Sequence, residues 1–201
     1  MTSIVDFFYG LGSRYSYLAS TQIAALEAET GCTVRWRPLK QGSLPALRGA
    51  NPFAGDSLSG QYEWTYRRRD AEAWAEYYGV PYREPADPTV HTIVSALAAA
   101  AAARFGKTVE MSKALFHAHF AEGRAFDEAV CRACAKTVGI DEPEFRAALD
   151  DPAVSDALDT DAAEAHRRGA FGVPTFFAGE AMFWGNDRLP LLRHHLGKSA
   201  D

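Results

Sequence analysis

The chain has 201 residues, of which 47% are hydrophobic and 23% are charged, the balance of a folded domain rather than of a disordered chain. Its formal net charge of -5 argues against nucleic acid as a partner, because phosphate binding usually needs a basic surface. No apolar run is long enough to cross a bilayer, and the first residues lack the charged and apolar regions of a signal peptide. We therefore expect a single cytoplasmic domain, residues 1–201, that does not bind membranes.

The first 38 residues predict a β-α-β unit. Ile4–Tyr9 is apolar and aromatic, as in a buried strand, and Thr33–Pro38 alternates and ends in proline, as in a second strand. Residues 15–30 between them have the composition and apolar spacing of a helix, and Gly31 is the expected stop. A unit of this kind predicts two parallel strands joined by a right-handed crossover.

The middle of the chain changes character. Residues 40–60 are rich in Gly, Ser, Pro and Asn, which predicts a long loop of the kind that often carries function. Residues 62–166 contain no convincing strand and predict a mostly helical insertion. Within it, the Ala-rich stretch 90–104 predicts a helix that packs closely on a neighbour, and the basic run 67–69 is interpreted as a solvated helix face.

Strand patterns return near the C-terminal end. Residues 172–177 predict a short strand entered through a proline, and Ala181–Trp184 predicts a second strand after a turn. Residues 185–188 then begin a final helix over 189–196. The order β-α-β, helical insertion, β-β-α predicts one four-stranded mixed sheet of the α/β class, because the late strands must pair with the early ones across the insertion.

The cysteine and histidine patterns indicate neither redox nor metal chemistry. Cys131-Arg-Ala-Cys134 is a C-x-x-C pair, but it lies inside the predicted helix 127–138 with no preceding strand, so small residues on a helix face are the better interpretation. The histidines at 117 and 119, and at 194 and 195, lack the i, i+4 spacing and the acidic partners of a helical zinc site. We expect no bound metal.

Four motifs resemble those of one known family, and the resemblance runs essentially end to end. They are Tyr9-x-x-x-Ser13-x-Tyr-Ser-Tyr17, Gly79-Val-Pro81, Gly172-Val-Pro-Thr-Phe176 and Phe183-Trp-Gly-Asn-Asp-Arg-Leu189. The chain resembles the 2-hydroxychromene-2-carboxylate isomerases, which have a DsbA-like thioredoxin fold and are related to the kappa-class glutathione transferases. The resemblance implies a thioredoxin-like sheet with a helical insertion, glutathione as cofactor and a homodimer.

Ser13 has two interpretations. By local sequence alone it predicts a helix N-cap, worth roughly 1 kcal/mol. The resemblance implies that Ser13 stands where redox relatives carry a cysteine and that its hydroxyl donates a hydrogen bond to the thiolate of glutathione, beside helix amides that favour an anion. The other motifs favour the catalytic role, and the same amides can serve both.

The resemblance also implies contacts with the rest of glutathione. A cis bond at Val173-Pro174 would present the N–H and C=O of Val173 to the cysteinyl part, although a plain turn is an equal alternative from sequence alone. Asn186 and Asp187 would hold the charged γ-glutamyl end, or would simply cap the last helix. Asn51 would help to hold the tripeptide.

Three further residues are candidates for contact with the substrate. Arg14 stands where the family usually has the proline that follows its serine. We hypothesise that Arg14 adds positive charge near the sulfur or grips a substrate carboxylate. Phe53 and Trp184 are candidates for an aromatic pocket, although each by itself is more typical of core packing. Residues 63–69 look like a local insertion relative to the family.

Together these features predict a glutathione-dependent isomerase of naphthalene-type aromatic catabolism. It would interconvert 2-hydroxychromene-2-carboxylate, a small aromatic carboxylate, and trans-o-hydroxybenzylidenepyruvate. A kappa-like glutathione transferase would use the same site but consume the thiol. A DsbA-like thiol oxidoreductase is disfavoured because no cysteine occupies the first strand-to-helix turn, and a non-enzymatic binder is the remaining alternative.

Overall fold

A four-stranded mixed sheet lies at the centre of the fold, as predicted. The computed structural model describes residues 2–49, 64–86 and 92–198. Its strands within these residues are β1 (Ile4–Tyr9), β2 (Thr33–Pro38), β3 (Thr175–Ala178) and β4 (Ala181–Trp184). Their order across the sheet is β2-β1-β3-β4. β1 is parallel to β2, which confirms the predicted parallel pair, and β3 is antiparallel to both β1 and β4.

The helix predicted over residues 15–30 is divided in the structure. It consists of two helices, α1 (Arg14–Thr21) and α2 (Ile23–Thr30). Just before the break at Gln22, the hydroxyls of Ser20 and Thr21 each donate to the carbonyl three residues earlier. Such bonds offer those carbonyls an alternative to the helical ladder and bend a helix, so the prediction of one continuous helix was wrong. The predicted stop at Gly31 is confirmed, with a left-handed φ of 67°.

Between β2 and β3 the described residues form helices and no strand, as predicted. These are α3 (Ser43–Arg48), α4 (Trp64–Tyr78), α5 (Thr92–Ala101), α6 (Thr108–Phe120), α7 (Glu128–Thr137), α8 (Glu142–Leu149) and α9 (Pro152–Arg167). After β4, a 3-10 turn leads into α10 (Leu189–Lys198). No helix in the described part of the chain is both long enough and apolar enough to cross a membrane.

Two boundaries differ from the sequence prediction. The expected loop over residues 40–60 contains α3, whose Leu44 is buried beside α9, so tertiary packing overrides a weak local pattern. The strand predicted from residue 172 begins only at Thr175, because Pro174 has no N–H to give to the sheet.

Both faces of the sheet are covered. On one face Phe7 stacks on Tyr9 and on Phe176, with ring centroids 4.9 and 4.7 Å apart, and helices α1, α5, α6 and α7 are among those that contribute to this core. On the other face Phe8 and Phe177 pack edge to face beside α9. A strand buried on both faces reads as a nearly continuous apolar run, which explains why length and residue type alone located β1.

The Ala-rich segment packs closely on its neighbours, as predicted. It forms α5 and a following 3-10 turn, Ala102–Phe105. The alanines at positions 96, 98, 99 and 101 are all buried. Their small side chains allow α5 to lie against α6 and α9.

Candidate active site

Ser13 lies at the turn where β1 ends and α1 begins. Its backbone is extended, with φ of -95° and ψ of 115°, and its N–H donates to the Gly10 carbonyl at 3.0 Å. Its Oγ accepts from the Ser16 N–H at 3.2 Å, so the predicted N-cap is confirmed. A hydroxyl carries one donor besides its acceptor lone pairs, so capping leaves the O–H of Ser13 able to donate to a ligand.

The peptide bond between Val173 and Pro174 is cis, as predicted. The turn that it forms packs against the turn before Ser13, since a Cβ added to Gly10 would lie 3.3 Å from Val173 Cγ2. No hydrogen bond joins the N–H or the C=O of Val173 to the described residues. Half-buried Val173 therefore has one backbone donor and one acceptor to offer next to Ser13.

The C-terminal motif reaches the same place through a backbone hydrogen bond. The N–H of Gly185 donates to the Pro174 carbonyl at 2.9 Å. Gly185 has a φ of 108°, and a Cβ there would overlap Oδ1 of Asp187, so the carboxylate is folded back over the glycine. Asp187 is 44% exposed and lies 2.8 Å from Arg188. No side-chain hydrogen bond caps the 3-10 turn at residues 186–188.

Asn186 is buried with one polar group unsatisfied. Its residue is 3% exposed, and its Nδ2 has no hydrogen-bond partner within the described residues. Its carbonyl accepts a hydrogen bond from the Tyr78 hydroxyl at 3.4 Å, which connects α4 to this motif. A buried amide nitrogen without an acceptor is costly, so it marks a position where a further acceptor would be stabilising.

Sheet topology explains why these motifs meet, although more than 150 residues separate them. Because β1 and β3 are antiparallel neighbours, the end of β1 lies beside the start of β3. Because β3 and β4 are also antiparallel, the end of β4 lies there too. Ser13, Val173, Pro174 and Asn186 are consequently placed at one edge of the sheet.

Arg14 faces a carboxylate that the sequence did not predict. Its guanidinium is 3.0 Å from Glu84, and the two side chains are only 7% and 11% exposed. The Tyr82 hydroxyl donates to the same Glu84 oxygen at 2.6 Å, and Arg68 Nε donates to the other oxygen at 3.2 Å. Burial and the Glu84 carboxylate raise the pKa of Tyr82, so it remains a donor. We call these four residues the Glu84 cluster.

A second polar bridge joins α4 to the first turn of α1. The Tyr15 hydroxyl donates to Asp70 at 2.7 Å, and the Arg67 guanidinium lies 5.8 Å from the centroid of the Tyr15 ring. Burial, together with the Asp70 carboxylate, raises the pKa of Tyr15 to about 12. Of the basic run, Arg68 and Arg69 are exposed as interpreted, whereas Arg67 is half-buried. Arg67 and Arg68 also contact groups next to the candidate site.

Of the three remaining candidates, Trp184 lies within the described residues. Trp184 packs against Phe171, with ring centroids 4.7 Å apart, and is half-buried at the end of β4. Asn51 and Phe53 lie outside the described residues. Within those residues, no group of three or more His, Cys, Asp and Glu side chains could hold a metal ion.

The two cysteines of the C-x-x-C pair are buried inside α7, in agreement with the structural interpretation. Burial raises the pKa of the Cys131 thiol to about 12 and also raises that of Cys134. Such thiols are protonated at neutral pH and have little nucleophilic character.

Comparison with known proteins first defines the class. The chain matches the DSBA-like thioredoxin domain over residues 4–197 and so belongs to that family. It is 30% identical to a 2-hydroxychromene-2-carboxylate isomerase of Pseudomonas putida over 97% of this chain and 95% of the relative. It is also 30% identical to the isomerase of the same name from Sphingobium xenophagum, over 98% and 99%. The chain is therefore a member of the 2-hydroxychromene-2-carboxylate isomerase family, as its motifs predicted.

Solved structures agree with this assignment. A structure of 2-hydroxychromene-2-carboxylate isomerase superposes with a TM-score of 0.85 at 28% identity, covering 98% of this chain and 96% of the other. The cytosolic disulfide reductase DsbM of Pseudomonas aeruginosa superposes with a TM-score of 0.68 at 20% identity, covering 98% of each chain. The second likeness is one of fold alone. The predicted DsbA-like thioredoxin fold is confirmed.

Proposed function

We propose that this protein isomerises 2-hydroxychromene-2-carboxylate to trans-o-hydroxybenzylidenepyruvate, with glutathione as a recycled cofactor. The observation that carries the proposal is the serine that caps α1, in a chain similar over nearly its full length to isomerases of that name. Disulfide exchange needs a reactive thiol, and the three cysteines of this chain are all buried.

The residues at the sheet edge fit the chemistry of glutathione. The tripeptide has a thiol, two peptide groups, two carboxylates and an ammonium. Asn186 Nδ2 is a buried donor without an acceptor in the described residues, and a carboxylate would supply one. The unused backbone N–H and C=O of Val173 suit a peptide group, and the Asp187 carboxylate suits an ammonium.

Bound glutathione would supply a thiol that adds to the conjugated enone of the substrate and later leaves. While the thiol is attached, the former C=C bond would be a single bond and could rotate. Ser13 would donate its O–H to the sulfur and so favour the ionised form. The amides and dipole at the start of α1 would favour the same negative charge without rearrangement, because they are already oriented by the fold. Val173 and Asn186 would hold the tripeptide in register with Ser13.

The test compares isomerisation rates with and without glutathione, and for wild type and Ser13→Ala. We expect activity only with glutathione, and a loss of about 100-fold in kcat for Ser13→Ala, the usual effect of removing one donor from a developing charge. Asp141→Ala is the control, because Asp141 caps α8 through its side chain and lies outside the candidate site. Equal rates with and without glutathione, and with and without Ser13, would refute the mechanism.

We further propose, from the family resemblance, that the protein is a cytoplasmic homodimer. A dimer would have about twice the 21.9 kDa mass of the chain. Analytical ultracentrifugation of the purified protein measures that mass directly. Fractionation of cells of the source organism tests the location.

A further inference from the structure

Arg14 is the cation nearest to Ser13 in sequence, but it is committed to another group. Its side chain is 7% exposed, and its guanidinium lies 3.0 Å from Glu84. A substrate carboxylate would have to displace a buried carboxylate to reach it. Displacement of that kind is costly, because Glu84 would be left buried without its main counter-charge. Arg14 is therefore better suited to hold Glu84 than to hold a ligand.

The outward cation of the Glu84 cluster is Arg68. The cluster contains two guanidinium groups, Arg14 and Arg68, for the one carboxylate of Glu84. The Arg68 side chain is 50% exposed and uses Nε for Glu84. A guanidinium has five N–H donors, so the four on its terminal nitrogens remain for another acceptor. Among the described residues, no other hydrogen bond involves Arg68.

The position of Arg68 is fixed on both sides. Arg67, which precedes it on α4, lies over the Tyr15 ring, and Asp70 accepts from the Tyr15 hydroxyl. Tyr15 and Arg14 both belong to the first turn of α1, which starts directly after Ser13. The contacts thus hold this part of α4 against the first turn of α1, with one half-exposed guanidinium available.

We propose that Arg68 binds a carboxylate at the active site and so determines its preference for acidic ligands. The planar pair of terminal N–H groups matches the two oxygens of a carboxylate. The inference rests on the proposed function, under which two ligands bring such a group: the acid substrate and the glycine end of glutathione.

The experiment measures binding by calorimetry to wild type, Arg68→Gln and Arg69→Gln. The first probe pair is chromone-2-carboxylate and its methyl ester, and the second is glutathione and its glycine amide. We expect Arg68→Gln to weaken one of the two acids about tenfold, as for a charge-assisted hydrogen bond at a half-exposed site, and to leave its neutral partner unchanged. The acid that is weakened identifies the source of the carboxylate. Arg69→Gln makes the same change of charge at a neighbouring exposed position and should bind like wild type.

Three results would overturn the proposal. In the first, wild type binds the acids no more tightly than their neutral partners. In the second, Arg68→Gln binds both acids as tightly as wild type does. In the third, Arg69→Gln weakens acid binding as much as Arg68→Gln does, which would indicate a general electrostatic effect of positive charge. The proposed function is tested separately by turnover. Wild type that prefers acids through Arg68 yet does not isomerise the substrate would refute only the function, whereas turnover with unchanged binding by Arg68→Gln would refute only the role of Arg68.

Discussion

The pair between Arg14 and Glu84 makes a quantitative prediction about stability. The substitution Glu84→Gln keeps the size of the side chain and lets its amide oxygen accept from Tyr82, but it removes the negative charge that faces the Arg14 guanidinium. Both side chains are about nine-tenths buried, and their charged atoms are 3.0 Å apart. Removal of one partner of a buried ion pair costs about 3–5 kcal/mol. The other charged residue of the cluster, Arg68, is also a cation, so it cannot replace the lost negative charge of Glu84.

We expect Glu84→Gln to lower the free energy of unfolding by about 3 kcal/mol. For a chain of this length, that loss lowers the Tm by about 6–12 °C. Urea denaturation followed by circular dichroism measures the free energy, and calorimetry measures the Tm. The double variant Arg14→Met/Glu84→Gln should recover most of the loss, because it removes both buried charges.

The control is Glu29→Gln. Glu29 also pairs with an arginine, Arg193, at 2.7 Å, but its side chain is 55% exposed. Exposed pairs contribute about 0–1 kcal/mol, so this variant should unfold almost like wild type. Equal small losses in Glu84→Gln and Glu29→Gln would refute the reasoning, since they would show that the Arg14 pair is solvated like a surface pair.

Three further predictions concern other parts of the chain. Ser13→Ala should lose only about 1 kcal/mol of stability in urea titrations, because it removes one N-cap bond; a much larger loss would undermine its use as an activity probe. Burial acts to raise the pKa of Asp6, but hydrogen bonds from Arg35 and Arg168 outweigh it and hold the pKa below its usual value. The contribution of the Asp6 carboxylate to the free energy of unfolding is therefore present above the unfolded-state pKa of about 3.9 and is lost as the pH falls through the lower folded-state pKa. Asp6→Asn should be about 2 kcal/mol less stable at pH 7, with a difference from wild type that shrinks below about pH 4; a constant difference would contradict this. Iodoacetamide should label Cys131 and Cys134 of the unfolded chain but not of the native protein at pH 8, because burial raises both pKa values; rapid native labelling detected by mass spectrometry would contradict this.

The sequence was sufficient to predict those strands and helix ends that are determined by local interactions. β1, β2 and β4 were located to the residue, because apolar runs of strand length bounded by turn residues mark such strands directly. Ser13 as an N-cap and Gly31 as a stop were equally readable, because each depends on neighbours within four residues. The break at Gln22 was missed because hydroxyl side chains in a helix can either bond to its carbonyls or point to solvent.

The candidate site was predictable only in part. Ser13, Val173, Pro174, Asn186 and Asp187 were assigned through the family motifs, and antiparallel pairing then placed the two ends of the chain at one sheet edge. Their roles with glutathione, and the assignments of Asn51 and Phe53, stay predictions. The Glu84 cluster was not predicted, because nothing near Glu84 in sequence distinguishes it from a surface carboxylate.

The sequence by itself determined the strands β1, β2 and β4 and that a serine, not a cysteine, caps α1. Only the tertiary structure decided what surrounds that serine. Arg14 could equally have pointed toward a ligand, but the packing of α4 and of the segment after it against α1 brings Glu84 to within 3.0 Å. The physical reason is that a buried charge requires a partner, and the partner is selected by which elements pack together, some 70 residues apart here, rather than by any local pattern.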